Sequence, residues 1–368
     1  MDNGSPQIPV YHKIKEALYA DISESYDIGS MIPPEFELAK KFGVHRGTMR
    51  KAIDFLVRDG ILSRERGRGT FVIKKPSVNG ASNAVKSNSI IQIAICFASN
   101  KKDIQNNEFY FEVLQGIIDE AGDRTNTMIF HLDDEMSTFN SIKNRIISVH
   151  AAGIVIIGNC SDQTISRFKN LSIPLVLGDC YTLDDSVDCV VSDNVKASFE
   201  AVSHMIRSGH RNIGIIAGPR NDKSAVERYQ GYSMALNMNG IKIDTKNVSY
   251  SKDMGCAGGY ESMMELIRNK TKASAIFAVN DTLAIGAMNA ARESKLRVPE
   301  DIGFIGFDDI ARASQSSPAL TTMRVNRFNM GVTIAQRLFS KLKHERLVAE
   351  KIILQPKLVE RESFIPKK

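Results

Sequence analysis

The fold of the N-terminal region is decided by residues 42–56, which read FGVHRGTMRKAIDFL. Gly43 and Val44 predict a tight turn between two helices. After that turn the apolar residues recur at helical spacing and should face a core, namely Met49, Ala52, Ile53 and Leu56. The opposite face of the same predicted helix carries Arg46, Gly47, Arg50, Lys51 and Asp54. Because Arg46 and Arg50 are four residues apart, they should lie one above the other on one surface.

The residues on either side complete a compact pattern. Residues 11–25 predict a first helix, and the stretch Ile32-Pro33-Pro34-Glu35 starts a second helix that runs through Phe42. Residues 62–72 read LSRERGRGTFV, which predicts two short strands around a glycine turn with arginines at its tip. Long guanidinium side chains at a narrow tip suit contact with phosphate or with the minor groove of DNA. Helix, turn, basic helix and basic hairpin together predict a small winged helix-turn-helix domain.

Positive charge is concentrated in the same region. The chain of 368 residues has a formal net charge of +6. Residues 45–75 carry nine Lys or Arg and three Asp or Glu, a net charge of +6, whereas residues 1–44 carry −3 and the remaining 293 residues carry +3. A short basic block beside a nearly neutral remainder favours a local phosphate-binding surface. A solvated charged face is the alternative interpretation of a charge run taken alone.

The composition changes after residue 75, so residues 1–75 are interpreted as the DNA-binding domain. Residues 76–89 are small, polar and weakly patterned, which predicts a linker. From residue 90 to residue 368, short apolar runs alternate with amphipathic segments. The runs that predict strands are Ile91–Phe97, Thr127–Leu132, Gly153–Ile157, Ile173–Leu177, Asn212–Ala217, Ser274–Ala278 and Ile302–Phe307. This alternation predicts an α/β fold with parallel sheets covered on both faces, and about 280 residues are enough for two such subdomains.

Several function classes are disfavoured by what the sequence lacks. No apolar run is long enough for a transmembrane helix, and no secretory signal pattern opens the chain, so a cytoplasmic protein without a membrane partner is expected. The five cysteines have long, irregular spacings that suit neither zinc nor a disulfide framework, and most are expected to be buried apolar residues. No nucleophile elbow, P-loop, metal-spaced cluster or dinucleotide fingerprint is evident. Neither a catalytic residue, a metal nor a cofactor is therefore predicted, and an enzyme is disfavoured.

Polar residues that follow predicted strands mark a candidate ligand site, because ligands of open parallel sheets bind beyond the carboxyl ends of the strands. Tyr110 lies near the start of a helix after the first strand, where it could stack on a sugar ring or simply pack on the sheet. Asp179 follows the strand that ends at Leu177, where it could accept hydroxyl hydrogen bonds or cap the next segment.

Three further signals lie in the second half of the chain. Arg228 is placed at a helix start, where its guanidinium fork could donate to paired ligand oxygens or form a surface salt bridge. Asn280 follows a strand and can both donate and accept, whereas Asp281 is better placed as the N-cap of the next helix. Asp308 follows another strand and is the carboxylate expected to accept ligand hydroxyls. The side chains of Asp308 and Asp309 should point apart, which is poor geometry for acid–base catalysis.

Residues 11–72 resemble the winged-helix domain of the GntR family. The matching segments are Ile32–Glu35, Phe42–Arg46, Thr48–Ala52, Leu56–Leu62 and Arg66–Val72. The resemblance implies DNA contacts from Arg46, Thr48, Arg50, Arg66 and Gly67, and the predicted DNA-binding set adds His45, Lys51 and Arg68. Thr48 could instead only support the first helical turn.

Three positions depart from the usual GntR pattern. Pro34 stands where a Ser caps the second helix, and Phe36 stands where an Arg often reaches DNA. His45 stands where a Ser or Thr caps the recognition helix. It is either a poorer cap at this position or a contact to a base or phosphate.

Residues 90–363 resemble the effector domain of the LacI/GalR family, which is itself similar to periplasmic sugar-binding proteins. The most specific matches are Ser208–Ile213, Arg228–Tyr232, Asn280–Ala287, Leu296–Ile302 and Ser317–Thr322. The resemblance implies two similar subdomains joined by three crossovers, with a ligand in the cleft between them. The implied effector contacts are Tyr110, Arg228, Asn280 and Asp308, and the predicted set adds Asp179 and Met254. Met254 falls where family members often place an aromatic over the ligand, and it could equally belong to the core.

A GntR-type DNA-binding domain joined to a LacI-type effector domain is the architecture of the arabinose-repressor subgroup. The combination predicts a repressor of carbohydrate-utilisation genes, a homodimer bound to a palindromic double-stranded DNA operator and controlled by a sugar or sugar-like effector. Pocket carboxylates together with an arginine suit a neutral pentose, hexose or deoxy-sugar. The alternatives are an effector-gated activator and a transport-type sugar-binding protein.

Overall fold

The computed structural model describes residues 14, 17–19, 21–22, 25–58, 60–65, 68–73, 90–98, 108–123, 125–343 and 348–367. The chain divides into two compact units, residues 1–89 and residues 90–368. The predicted linker over residues 76–89 lies outside the described residues. The limits of the predicted DNA-binding and effector domains therefore stay predictions.

The N-terminal unit combines helices with a small antiparallel sheet. Its elements are α1 (described residues within 14–25), β1 (Met31–Ile32), α2 (Glu35–Lys41), α3 (Arg46–Arg58), β2 (Leu62–Glu65) and β3 (Gly69–Val72). The sheet order is β1-β3-β2, and both pairings are antiparallel. The four apolar residues of α3 that were expected in the core are at most 1 % exposed, and the opposite face of α3 is exposed. The predicted helix-turn-helix with a hairpin is therefore present.

The second helix begins later than the sequence pattern predicts. Ile32 pairs with Thr70 in the small sheet, and α2 starts only at Glu35. A residue that precedes proline is pushed towards extended backbone, so the two consecutive prolines keep Ile32 and Pro33 out of the helix.

The first sheet of the C-terminal unit has six strands. They are β4 (Ile91–Ala98), β5 (Thr125–Leu132), β6 (Gly153–Ile157), β7 (Leu175–Gly178), β8 (Asp188–Ser192) and β14 (Lys351–Leu354). Their order is β14-β8-β7-β6-β4-β5, and every pairing is parallel. The helices of this subdomain are α4 (Glu108–Ala121), α5 (Met136–Ser148), α6 (Asp162–Lys169) and α12 (Arg327–Lys343).

The second sheet of this unit also has six strands. They are β9 (Ile213–Ala217), β10 (Val248–Tyr250), β11 (Ala275–Ala278), β12 (Gly303–Asp308), β13 (Thr321–Arg324) and β15 (Lys357–Val359). Their order is β10-β9-β11-β12-β13-β15, and only the pairing of β13 with β15 is antiparallel. The helices of this subdomain are α7 (Asn194–Arg207), α8 (Lys223–Met238), α9 (Cys256–Arg268), α10 (Asp281–Glu293) and α11 (Ala311–Gln315).

The chain passes between the two sheets three times, after β8, between β13 and α12, and between β14 and β15. This confirms the predicted α/β architecture of two subdomains in a periplasmic-binding-protein-like arrangement. All seven predicted strands are present, with ends within two residues of those expected. Four of the five cysteines are buried, as expected, and Cys256 is half-buried. No helix among the described residues has the length and apolarity to cross a membrane.

Helices α4 and α12 lie in close contact through two glycines. A Cβ atom at Gly116 would lie 2.1 Å from the carbonyl oxygen of Phe328. One at Gly331 would lie 2.0 Å from the carbonyl oxygen of Val113. Each of these carbonyls belongs to the backbone of the other helix, so neither can give way without moving a whole helix.

We expect Gly331→Ala to destabilise the protein, although alanine normally favours a helix over glycine by about 1 kcal/mol. The added methyl group must separate α4 from α12, and overpacking of this kind costs about 1–3 kcal/mol. Calorimetry of the full chain should show a lower unfolding temperature. Gln115→Ala, at an exposed position of α4, is the control and should change it little. An unfolding temperature for Gly331→Ala at or above that of the unaltered protein would contradict the close contact.

Candidate functional site

A pocket lies beside the carboxyl ends of the first sheet and the amino end of α8. Its volume is about 380 Å³, including its open mouth. The residues around it include Tyr110, Asn159, Asp179, Asp222, Lys223 and Glu227. Tyr110 comes from the first turn of α4 and Asp179 directly follows β7, so the structure brings these two predicted residues together.

Arg228 is a buried cation next to this pocket, with 2 % of its surface exposed, and it contacts the lining residue Asn194 without lining the pocket itself. Its Nε donates to Asn194 Oδ1 at 2.9 Å, and its Nη1 donates to the carbonyl oxygen of Val279 at 2.6 Å. Its Nη2 lies 3.1 Å from Asp308 Oδ1, an ion pair that lacks the alignment of a hydrogen bond. The guanidinium carbon also lies 3.8 Å from the centre of the Phe307 ring. These contacts fix the plane of the guanidinium group.

The predicted position of Arg228 at a helix start is wrong. Asp222 accepts from the amide of Ala225 and caps α8, which begins at Lys223 and places Arg228 in its second turn. The surface salt bridge considered for Arg228 is also wrong, because the side chain is buried. The earlier helix start was missed because the Asp222 cap lies within a polar stretch that resembles a loop.

Asp308 and Asp309 end β12 with positive φ angles of 108° and 58°. Residues with a side chain rarely adopt this backbone region, so the surrounding contacts must hold it. The two side chains point to different partners, as predicted. Asp308 faces Arg228, whereas Asp309 accepts from Arg324 at 2.5 Å and from Arg361 at 2.6 Å.

The charged groups of the site influence one another's pKa values. Burial raises the pKa of Asp179 to about 7. The charge of Arg228 opposes that rise, whereas the charges of Asp308 and Asp222 add to it. Burial also raises the pKa of Asp308 against the opposing charge of Arg228, and it raises the pKa of Tyr110, on which the same three aspartates act. Carboxyl groups from both subdomains therefore surround the pocket.

The assignment of Asp281 as the cap of α10 is a second prediction that the structure corrects. Asn280 is the N-cap, and its Oδ1 accepts from the amide of Leu283 at 2.7 Å. Asp281 is fully buried and accepts from the hydroxyl of Thr322 at 2.5 Å and from the amide of Ile310. Its carboxyl group thus connects α10 to the segment after β12, a long-range role that no local pattern indicates.

Met254 lies between β10 and α9 in the second subdomain and is not among the residues that line the pocket. Its sulfur would be 2.6 Å from a Cβ atom at Gly218, and its carbonyl oxygen accepts from Asn280 Nδ2 at 3.0 Å. It also packs against the buried core. Both polar ends of Asn280 are thereby engaged within the protein, and contacts of Met254 and Asn280 with an effector stay predictions.

The polar residues of the pocket that were not predicted include Asn159, Asp222, Lys223 and Glu227. Asn159 Nδ2 donates to the carbonyl oxygen of Asn221 at 3.2 Å, and Lys223 Nζ donates to that of Tyr181 at 2.8 Å. Both hydrogen bonds cross the cleft. The carboxyl-end rule could have found Asn159 and Asp222, which follow β6 and β9, whereas the late predicted start of α8 hid the other two. Within the described ranges, no group of three His, Cys, Asp or Glu side chains is placed to hold a metal ion.

The exposed face of α3 is the candidate nucleic-acid surface of the N-terminal unit. The predicted contact residues that are exposed are His45, Arg46, Arg50, Lys51 and Arg68. Thr48 is half-buried in the first turn of α3. His45 acts as the cap of α3, because its Nδ1 accepts from the amide of Gly47 at 3.2 Å. Arg66 and Gly67 lie outside the described residues.

Glu35, which sequence reasoning did not place in this surface, connects its arginines. Glu35 Oε2 lies 3.0 Å from Arg50 Nε and 3.7 Å from Arg46 Nε. Glu35 Oε1 lies 3.1 Å from Arg64 Nη2, and Arg64 also pairs with Asp54. One carboxylate at the start of α2 thus joins two arginines of α3 to one arginine of β2.

Comparison with known proteins identifies both parts of the chain. Residues 10–72 match bacterial regulatory proteins of the gntR family, and residues 202–364 match the periplasmic binding protein-like domain. The probable HTH-type transcriptional repressor ExuR of Bacillus subtilis is 30 % identical over 291 residues, which cover 78 % of this chain and 84 % of ExuR.

Two solved structures share the fold. A LacI family transcriptional regulator from Enterococcus faecium with bound ribose has a TM-score of 0.66 and 25 % identity, and the match covers 75 % of this chain and 100 % of that one. A complex of the transcriptional regulator CelR with cellobiose has a TM-score of 0.70 and 23 % identity, with 90 % and 100 % coverage.

A basic winged helix-turn-helix and a two-subdomain ligand cleft define the class of ligand-responsive transcription regulators. This chain belongs to the family of GntR/LacI-type transcriptional repressors, of which ExuR is a relative.

We expect Asp179→Asn to stabilise the protein increasingly as the pH rises from about 4 to about 7. The folded-state pKa of Asp179 is raised to about 7, so the folded protein retains this proton and loses stability as the pH rises through that interval. Asparagine does not titrate, so Asp179→Asn does not lose stability in this way as the pH rises. Its unfolding temperature relative to that of the unaltered protein should therefore be higher at pH ~8 than at pH ~5.

Asp184→Asn is the control for this titration. Lys169 and Ser186 lower the pKa of the exposed Asp184 carboxyl to about 2, so its replacement should bring no gain in stability over the same range. A difference between Asp179→Asn and the unaltered protein that does not change with pH would rule out the raised pKa.

Proposed function

We propose that this chain represses carbohydrate-utilisation genes and that a neutral sugar in the cleft controls its binding to the operator. It acts in the cytoplasm, where its DNA target lies, as a homodimer on a palindromic operator, and it performs no catalysis. The observation that carries the proposal is the cluster of Asp179, Arg228 and Asp308. It gathers two carboxyl groups and a buried guanidinium group from both subdomains around one cleft.

The charges of the cleft suit a ligand that is rich in hydroxyl groups and carries no negative charge. Carboxyl oxygens accept hydrogen bonds in either protonation state, so Asp179, Asp222 and Asp308 offer oxygens to ligand hydroxyls, and a protonated Asp179 can also donate one. Arg228 and Lys223 supply N–H donors for ligand oxygens. A phosphate or carboxylate on the ligand would meet more acidic than basic side chains, and like charges disfavour each other in a site of low dielectric.

Both structural neighbours described above were solved with a sugar, ribose in one and cellobiose in the other. They support a sugar as the class of effector for this chain. Polar groups lie on both subdomains, which supports control of DNA binding by the ligand. A sugar that contacts both subdomains stabilises the conformation in which both subdomains are close enough to contact it. A ligand shifts such an equilibrium only by its different affinity for the two states.

A thermal-shift panel tests the class of effector. We expect a neutral pentose or hexose to raise the unfolding temperature of the full chain, because a ligand that binds only the folded state stabilises it. Sugar phosphates and hexuronates should give smaller shifts at the same concentration. Asp308→Asn should weaken binding of the neutral sugar at least about tenfold, since a hydrogen bond to a charged group is lost.

Asp301→Asn is the matched control in this panel, because it removes an exposed carboxylate that pairs with Arg297 at 2.7 Å. It should leave the sugar-induced shift unchanged. Stabilisation by sugar phosphates without any by neutral sugars would refute the proposed effector class.

A gel-shift titration tests the direction of control. The stabilising sugar should weaken operator binding, and operator binding that persists despite measured sugar binding would refute the inducer mechanism. Tighter operator binding with sugar would favour the effector-gated activator. Sugar binding without sequence-selective DNA binding would favour the transport-type protein.

We propose that α3 enters the major groove of the operator, as the second helix of a helix-turn-helix does. The residues proposed to contact DNA are His45, Arg46, Thr48, Arg50, Lys51, Arg66, Gly67 and Arg68. The ion pairs of Glu35 with Arg46, Arg50 and Arg64 support a role for Glu35 in orienting these guanidinium groups before contact.

We expect Glu35→Gln to bind DNA of any sequence more tightly and to discriminate between sequences less. The freed arginines can contact phosphates without sequence preference, whereas loss of their orientation weakens base readout. Fluorescence anisotropy should compare a duplex that the unaltered protein selects from random sequence with a scrambled duplex. The ratio of the two Kd values should fall at least about threefold.

Glu37→Gln is the control, because it removes the same charge from an exposed position of the same helix. It should keep the ratio of Kd values. An unchanged ratio for Glu35→Gln would show that this carboxylate does not orient the reading face.

A further inference from the structure

Arg327, the first residue of α12, is a buried arginine whose side chain is 7 % exposed. Its Nη1 donates to the carbonyl oxygen of Asp308 at 2.8 Å, and its Nη2 donates to that of Asp309 at 2.9 Å. Its Nε and Nη2 also donate to the two carboxylate oxygens of Glu112, at 3.0 and 2.7 Å. One guanidinium group therefore joins the backbone of Asp308, the partner of Arg228, to a helix of the other subdomain.

The backbone that Arg327 holds is strained. Asp308 and Asp309 have positive φ angles, a conformation that persists only when the surrounding structure enforces it. Donors to two consecutive carbonyl oxygens supply that constraint. The carboxylate of Asp308, which faces Arg228, is aimed by the same backbone. Arg327 is thus a positioning residue for the effector site.

A second ion pair ties the same segment to α4. Arg312 follows Asp309 by three residues, and its Nε donates to Glu108 at 2.5 Å. Glu108 and Glu112 are four residues apart and lie on one side of the first turns of α4. The segment after β12 is therefore attached to α4 at two points, on either side of Tyr110 in the sequence.

Helix α4 cannot move independently of α12. The Gly116 and Gly331 contacts place the two helix backbones directly against each other. A displacement at Asp308 that reaches Glu112 would therefore move α4 and α12 as one body. Arginine suits this link because its planar fork reaches several acceptors at once, which a lysine ammonium on a flexible stem does not do.

We propose that Arg327 transmits occupancy of the cleft from Asp308 to the α4–α12 pair through Glu112. The proposal rests on the proposed function for the signal, which is sugar binding, whereas the link itself is a property of the fold. Within the described part of the chain, Arg327 contacts Asp308 only through its backbone carbonyl oxygen, and Glu112 contacts that segment only through Arg327. The loss of Glu112 should therefore affect the response to sugar differently from sugar binding.

The test measures binding and response separately on the full-length protein. Isothermal titration uses whichever of D-ribose, L-arabinose, D-xylose, D-galactose and D-glucose stabilises the protein most, and anisotropy gives the operator Kd with and without that sugar. For Glu112→Gln, the sugar Kd should stay within about threefold, while the sugar-induced change in operator Kd should fall at least about tenfold. An undiminished response in Glu112→Gln would overturn the proposal.

Arg327→Lys should reduce the response about as much as Glu112→Gln does and should also bind the sugar at least about tenfold more weakly, because the backbone of Asp308 loses its donors. If Arg327 acts through Glu112, the sugar-induced change in operator Kd should be at least as large in the double variant, Arg327→Lys with Glu112→Gln, as in Arg327→Lys alone. A further loss of response in the double variant would overturn the route through Glu112. Asp301→Asn, which removes an exposed arginine pair in the subdomain that contains Asp308, should change neither quantity.

Hydrogen–deuterium exchange without sugar or DNA separates failure of the link from failure of the proposed function. Glu112→Gln should speed exchange over residues 305–312 and over α4 together, and Asp301→Asn should not. Suppose that Glu112→Gln speeds exchange in both segments, while none of the sugars binds to the unaltered protein. That result would support the link through Arg327 and overturn the sugar-controlled repressor. Exchange over residues 305–312 that matches the unaltered protein would overturn the link, whatever the response to sugar.

Discussion

The cleft depends on the buried guanidinium group of Arg228. An arginine that is removed from water must find acceptors for its N–H groups within the protein, because an unpaired buried charge is strongly destabilising. Here the partners are Asn194 at the start of α7, the carbonyl oxygen of Val279 just after β11, and Asp308 at the end of β12. One cation thereby fixes three segments of the second subdomain relative to one another.

The buried charge of Arg228 also affects the pKa values of the carboxyl groups around it. Burial raises the pKa of Asp179 and of Asp308, and in both cases the charge of Arg228 opposes that rise. The carboxyl groups stay close together because this cation lies near both of them. A cleft that holds several acceptors around a fixed donor suits hydroxyl groups better than anions. Stability and ligand class are therefore consequences of one arrangement of charges.

Much of the fold follows from local patterns. The apolar spacing on α3 identified its buried face, and continuous apolar runs located the buried strands β4, β6 and β12, whose side chains meet a helix layer on both faces of the sheet. Strands β8, β10, β13, β14 and β15 were not predicted, because each is at most five residues long and includes polar or charged residues. The rule that ligands bind at the carboxyl ends of parallel strands placed Asp179 and Asp308 at the site.

Local sequence features suffice to predict the winged helix-turn-helix, the two α/β subdomains and several residues of the cleft, because periodicity and strand ends are local. Which polar groups meet depends on how the chain folds. Glu35 joins arginines from two other elements, Asp281 reaches the amide of Ile310, and Arg327 connects β12 to α4. The separations range from 11 residues, for Glu35 and Arg46, to 215 residues, for Glu112 and Arg327. A long-range ion pair or hydrogen bond leaves no mark on local sequence, since its energy depends on packing that brings distant segments together.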